Sequence, residues 1–146
     1  VFLGQTTGEY EERLAAKQLA LCLTPAEGTP RISADGRLLW RVFENLFSNI
    51  QKYAQPGTRV YLTCQATDEQ VTIIFRNISA EPLNISADEL MERFVRGDAS
   101  RNTEGSGLGL SIARSLTQLQ HGTFALAVDG DLFKAILTFP RLRDGE

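Results

Sequence analysis

Cysteine is scarce: Cys22 and Cys64 are the only two in 146 residues. Each lies inside an apolar run, and neither stands at metal-ligand spacing from the other or from the single histidine, His121. That argues against a Cys/His metal site and for buried free thiols in a reducing compartment. Uninterrupted hydrophobic stretches are also lacking. A membrane-spanning helix needs about 18 or more apolar residues in a row, and neither such a run nor a signal-peptide pattern occurs. A soluble piece of a larger membrane protein remains compatible with this. The opening Val1-Phe2-Leu3-Gly4, without Met, is expected to mark an excised fragment. Basic residues are not in excess, with 15 Lys and Arg against 18 Asp and Glu and a net charge of −3. Nucleic acid and anionic membrane surfaces, which reward clustered Lys and Arg, are therefore not the expected partners. No internal repeat and no low-complexity segment is present.

What remains is an ordinary globular composition, 42% hydrophobic and 23% charged. One domain is expected, burying about two-thirds of its unfolded surface around a single core. Residues 8–17, rich in Glu, Arg and Ala, read as a helix, and residues 19–23 as a short strand. A loop through Pro25 and Pro30 leads to a second short strand at Arg31-Ile32-Ser33. Asp35 is placed to cap a helix running to about Tyr53, in which Leu38, Leu39, Val42, Phe43, Leu46, Phe47 and Ile50 recur with helical period as a core stripe. Gln55-Pro56-Gly57 ends it. Residues 59–65 and 71–76 alternate as strands around a turn at Asp68-Glu69-Gln70, and residues 123–128 and 133–139 form a second hairpin around Asp129-Gly130-Asp131. Between the hairpins lies a long connection, residues 77–106, with one short helical pattern at 88–94. A connection of that length suggests a mobile lid. Helices on one face of a mixed, mostly antiparallel sheet is the implied α+β architecture.

The most informative run is Gly105-Ser106-Gly107-Leu108-Gly109-Leu110, which opens the apolar segment 111–119. Alternating glycines let the backbone approach a ligand closely, and the following helix points free N–H groups toward the loop, a pairing that favours a phosphate. A Gly-rich turn before a helix is also a common plain connection. A dinucleotide fingerprint is excluded because no strand runs straight into the glycines, and a Walker loop because Leu110, not Lys, follows Gly109.

A second constellation lies on the Asp35–Tyr53 helix itself. Asn45, Asn49 and Lys52 stand at i, i+4 and i+7, on one face distinct from the core stripe, with Tyr53 a turn beyond Asn49. Amide oxygens are hard ligands able to join phosphate oxygens and water around Mg²⁺, and Lys offers a point charge to phosphate. The plainer reading of such a stripe is a solvated helix face.

Taken in chain order, these features resemble the catalytic, ATP-binding domain of bacterial sensor histidine kinases, in the superfamily shared with gyrase-type ATPases. Glu44-Asn45-Leu46-Phe47-Ser48-Asn49-Ile50-Gln51-Lys52-Tyr53 looks like that family's N box. Glu92-Arg93-Phe94-Val95-Arg96-Gly97-Asp98 looks like its F box, and the glycine run like its G2 box. The resemblance implies a two-layer α/β sandwich, three helices over a mixed sheet, with an ATP lid at about residues 77–107. It divides the chain into a linker helix, residues 1–17, and a catalytic domain, residues 18–146. Asn49 would coordinate Mg²⁺, Asn45 and Lys52 would contact the phosphates of ATP, and Tyr53 would line the nucleotide site. Arg96 or Arg101 would neutralise γ-phosphate charge. Gly105, Ser106, Gly107 and Gly109 would wrap the triphosphate, with Leu108 and Leu110 packing the loop onto the core. His121 is read as a residue of a helix C-terminus and not as a phosphoacceptor.

Two departures from that family qualify the resemblance. After the strand at 71–76 the family usually has Asp-x-Gly-x-Gly, whose carboxylate accepts a hydrogen bond from the adenine amino group; here Asn77-Ile78-Ser79-Ala80-Glu81 follows. Asn77 keeps an acceptor oxygen but loses the charge, and the lid-base glycines are missing. The dimerising helical hairpin that carries the family's phosphoacceptor histidine is not in this chain. The resemblance thus implies a cytoplasmic kinase domain, monomeric by itself, that transfers the γ-phosphoryl of Mg-ATP to a histidine on a separate dimerisation domain serving a response regulator. The alternatives are a degenerate module that has lost ATP and binds partners, and an anti-sigma-type serine kinase on the same fold.

Overall fold

The structure, a computed structural model, describes residues 2–26, 30, 32–80 and 108–142. Its described elements run α1 (Phe2–Ala15), β1 (Ala20–Thr24), α2 (Gly36–Tyr53), β2 (Arg59–Ala66), β3 (Gln70–Ile78), α3 (Leu108–Leu119), β4 (Thr123–Asp129) and β5 (Leu132–Pro140). The five strands form one sheet in the order β1-β2-β3-β5-β4, with β1 parallel to β2 and every other pair antiparallel. The helices pack over one face, so the expected sandwich of three helices on a mixed sheet is the fold observed among the described residues.

α1 begins earlier than its composition suggests, at Phe2 instead of residue 8. Its hold on the body comes from Tyr10 and Leu14, one turn apart and both buried. Tyr10 stacks on Phe47 of α2, ring centroids 4.5 Å apart, and burial pushes its phenol pKa up, with Glu44 adding to the effect. The helix closes on a left-handed residue, Gln18 at φ 62°. There the Leu19 N–H donates to the Leu14 carbonyl and the Gln18 N–H to the Ala15 carbonyl, each at 2.9 Å. This is the paired closure in which the residue after the left-handed position packs on the last turn, and Leu19 and Leu14 are both buried. Leu19 is thereby used up in the closure, and the strand expected at 19–23 starts one residue later.

Asp35 caps α2 as expected: its Oδ1 accepts from the N–H groups of Arg37 at 2.8 Å and Leu38 at 3.3 Å. Leu39, Val42, Phe43, Leu46, Phe47 and Ile50 form the buried stripe, each worth on the order of 1.5–3 kcal/mol on burial, whereas Leu38 is only half-buried. On the sheet, alternation brings Val60, Leu62 and Cys64, then Val71, Ile73, Phe75 and Asn77, then Phe133, Ala135, Leu137 and Phe139 under the helices. Phe43 and Phe47 meet Phe75 edge-on at 5.1 and 5.3 Å.

The strand expected at Arg31-Ile32-Ser33 is reduced to a single bridge from Ile32 to Arg141, with Arg31 outside the described residues. Gln70, expected in the turn, begins β3; the Thr67 hydroxyl accepts from the N–H groups of Glu69 and Gln70 to hold the reversal. Asp129 and Leu132 pair across the second hairpin, so its loop is the two residues Gly130 and Asp131, with Gly130 at φ 62°. Cys64 is buried and its thiol is pushed up by desolvation, while Cys22 is only half-buried, a correction to the expectation of two buried thiols. Both are free.

Candidate functional site

α2 and α3 pack against each other, and their relative direction is fixed at one end. Gln120, buried just past α3, accepts the Asp35 N–H on Oε1 at 2.9 Å and donates from Nε2 to the Leu116 carbonyl at 3.0 Å. The end of α3 is therefore tied to the start of α2. At 1.5 Å per residue the 12 residues of α3 span about 18 Å, which brings its first turn toward the C-terminal half of α2. Asn45, Asn49 and Lys52 lie in that half.

Asn45 and Asn49 are half-buried, Lys52 is exposed and Tyr53 is 40% exposed. The polar stripe is thus accessible, as the helical spacing implies. Asn45 donates from Nδ2 to the Arg41 carbonyl at 2.9 Å, which leaves its Oδ1 as the atom with acceptor capacity to offer a ligand.

A clasp joins this end of α2 to the end of β3. The Gln55 N–H donates to the Ile78 carbonyl at 2.8 Å, the Ala80 N–H to the Tyr53 carbonyl at 2.8 Å, and Ala54 bridges Ser79. The Ser79 N–H is held by the Asp131 carbonyl at 2.7 Å. Main-chain bonds make this clasp, so no side-chain pattern announces it in the sequence. It sets residues 78–80 beside residues 53–55 at the end of α2, and so places Asn77, the preceding residue of β3, at this end of the molecule.

Asn77 is 3% exposed, and its Oδ1 is buried with no hydrogen-bond partner. It closes the helix-facing row of β3, two residues after Phe75 and directly across from Phe133 of β5. A buried acceptor among aromatic rings, left unbonded, is rare and costly in a folded protein. Burial at this position was not foreseen, since it depends on cross-strand register.

The remaining candidates divide. Arg96, Arg101, Gly105, Ser106 and Gly107 lie outside the described residues, as do the F-box-like run and the helical pattern at 88–94. Leu108, Gly109 and Leu110 do not extend a loop but form the first turn of α3, a correction to the expected helix start at residue 111. Their N–H groups belong to the four that have no partner within the helix. Leu110 is fully buried and anchors that turn in the core. His121 lies two residues beyond α3 at φ 66°, exposed, where it donates its N–H to the Gln118 carbonyl as part of the helix closure.

The donor set suits an anionic ligand with a hard cation. Among the described residues no group of three His, Cys, Asp or Glu side chains could hold a metal ion by itself. Two amides and a lysine fit Mg²⁺ only when phosphate oxygens and water complete the shell, which is how Mg²⁺ is ordinarily bound. The unbonded Asn77 oxygen belongs to the helix-facing row of β3, where its strand-face neighbours Phe75 and Phe133 are apolar.

The chain belongs to the family of histidine kinase-, DNA gyrase B- and HSP90-like ATPases, whose model matches residues 34–142. Among curated proteins it is similar to the probable sensor protein PcoS of Escherichia coli, 34% identical over 71% of this chain, and to the sensor histidine kinase CusS of Escherichia coli K12, 32% identical over 75%. The matched regions cover 23% of each relative, so the chain spans about a quarter of their length. Among solved structures, the nucleotide-free catalytic domain of histidine kinase ThkA superposes with a TM-score of 0.77 at 20% identity, covering 95% of this chain and 91% of that one. ThkA in complex with the response regulator protein TrrA gives a TM-score of 0.76 at 20% identity, over 99% of this chain and 41% of that one. These likenesses establish the fold of histidine kinase catalytic domains.

Proposed function

We propose that the chain is the ATP-binding kinase domain of a two-component sensor, transferring the γ-phosphoryl group of Mg-ATP to a histidine on a separate dimerisation domain. Residues 1–17 act as the joint to that domain. The parent protein is a sensor kinase whose kinase domain works on the cytoplasmic side, and the phosphoryl group passes on to a response regulator. By itself the chain is a monomer, since dimerisation belongs to the other domain. Membership of the ATPase family and the names of the sensor-kinase relatives support this reading. Among the described residues no helix is long and apolar enough to cross a membrane.

The observation that carries the reading is the buried, unbonded Oδ1 of Asn77 at the same end of the molecule as the Asn45, Asn49 and Lys52 stripe. One end of the site offers a neutral acceptor among Phe75 and Phe133, matching a purine amino group; the other offers amides and a cation, matching a triphosphate. Mg²⁺, when bound, neutralises phosphate charge and orients the transferring group. Asn49 would hold it through its amide oxygen, with phosphate oxygens and water completing the shell. Lys52 places its ammonium group against the phosphates, and Asn45 contacts the phosphates from the same helix face. The first-turn N–H groups of Leu108, Gly109 and Leu110 receive phosphate oxygens at the α3 N-terminus. Arg96 or Arg101 meets the γ-phosphate charge from the lid, and Gly105, Ser106 and Gly107 close around the triphosphate. Tyr53 lines the site, and the acceptor domain supplies the base.

A second reading, a module that has lost ATP and only binds partners, is favoured by Asn77 in place of the usual carboxylate and by the missing lid-base glycines. Calorimetric titration with ATP, with and without Mg²⁺, separates the two. Magnesium-dependent binding that Asn49→Ala abolishes is the expected result. No heat and no thermal stabilisation at millimolar ATP would overturn the kinase reading in favour of the module.

A further inference from the structure

We infer that Asn77 broadens the base specificity of this site, so that 6-oxopurine nucleoside triphosphates bind alongside ATP. The inference rests on the nucleotide-binding reading above and concerns the chemistry of the base edge alone. A carboxylate at this position only accepts hydrogen bonds and so selects an amino group. An amide carries an acceptor on one terminal atom and a donor on the other, and half a turn about its last side-chain bond exchanges them.

The two purine edges are mirror cases. Adenine presents a donor at position 6 and an acceptor at N1; a 6-oxopurine presents an acceptor at position 6 and a donor at N1. With Oδ1 toward position 6, Asn77 accepts from the adenine amino group and can donate to N1. Turned over, its Nδ2 donates to O6 and its Oδ1 accepts from N1–H. Each orientation satisfies the acceptor that is otherwise buried and unbonded. Its strand-face neighbours, Phe75 and Phe133, are apolar and do not bias the amide toward either orientation. At 3% exposure water cannot readily substitute for the missing bond, so whichever base enters is read by this group.

The test uses inosine triphosphate, which differs from ATP only in this position 6 and N1 pattern, and cytidine triphosphate as a ligand with the same phosphates on a smaller ring. Affinities of the whole chain for the three are measured by calorimetry with Mg²⁺, for the native protein and for Asn77→Asp. The expected result is ATP and inosine triphosphate within about tenfold of each other in the native protein. In the variant a gap of roughly a hundredfold or more in favour of ATP is expected, because a buried polar group left facing a mismatched edge discriminates strongly. Inosine triphosphate weaker than ATP by more than tenfold in the native protein overturns the inference and leaves the nucleotide site standing. All three ligands within tenfold in the native protein also overturn it, since the base is then unread. Binding of none of them overturns the nucleotide reading itself. The native-protein ratio decides the matter even where Asn77→Asp fails to fold.

Discussion

Replacing Asn77 with leucine, a side chain of the same branching and heavy-atom count though larger, should make the protein more stable and less able to bind nucleotide. In the free protein the substitution removes a buried acceptor that has no partner, at a position 3% exposed between Phe75 and Phe133. Leaving such a group unsatisfied costs about 1–3 kcal/mol, and an apolar group of the same shape does not incur that cost. A gain of about 1–2 kcal/mol is expected after allowance for imperfect packing of the branched end. For a chain of 146 residues that corresponds to a rise of roughly 3–6 °C in Tm. The ligand side of the ledger has the opposite sign. At ten times its Kd, a nucleotide that binds only the folded state adds about 1.4 kcal/mol. The leucine variant should lose most of that increment, because its side chain can no longer accept from the base.

Thermal unfolding of native and variant protein, each with and without Mg-ATP, reads both effects in one experiment. A structural role for Asn77 predicts the reverse of the first result, a lower Tm in the free variant, since a bond made in the folded state would be lost. A variant that unfolds at lower temperature and keeps its full ATP-induced shift would refute the reasoning. A variant with higher Tm and a reduced shift identifies local instability that serves binding.

Three further outcomes test the fold. A Cβ on Gly122 would lie 2.7 Å from Cε1 and 2.8 Å from Cδ1 of the buried Phe139, so Gly122→Ala should cost about 1–3 kcal/mol. His121→Gly, at the neighbouring left-handed position, should stabilise by about 0.5–1 kcal/mol; midpoints of urea unfolding with unchanged slope check both. The burial-raised Cys64 thiol should resist a disulfide reagent that modifies half-buried Cys22, and equally fast reaction of both thiols in the folded protein would contradict the packing of β2.

Local chemistry made α2 legible. A capping aspartate, a period of 3.6 and a proline-glycine stop all act within the segment, and the same periodicity separates Asn45, Asn49 and Lys52 from the core stripe without knowledge of any neighbour. The misses lie where distant parts of the chain decide. α1 extends back to Phe2 although residues 2–7 lack the composition that marks its later turns, and what holds the helix is Tyr10 on Phe47. The strand around Ile32 has a single bridge because its partner, Arg141, is the last paired residue after β5. Gly109 falls inside α3 because at a first turn a helix tolerates glycine, its N–H being unpaired there in any case.

Asn77 combines the two situations. Its identity as the residue after a strand was readable, and so was the loss of charge relative to the family pattern, but its isolation is a property of the assembled sheet. Register sets Phe133 across from it, alternation sets Phe75 behind it, and the clasp of Tyr53, Gln55, Ile78 and Ala80 stops the strand end from peeling away to let water in. A polar atom can be kept unsatisfied only where its surroundings cannot relax. Phe43 and Phe47 pack edge-on against Phe75, two residues away, in the close-packed core beneath α2. The site therefore borrows its preorganisation from the same aromatic contacts that hold the helices to the sheet. Loosening those contacts should weaken ligand binding before it unfolds the protein.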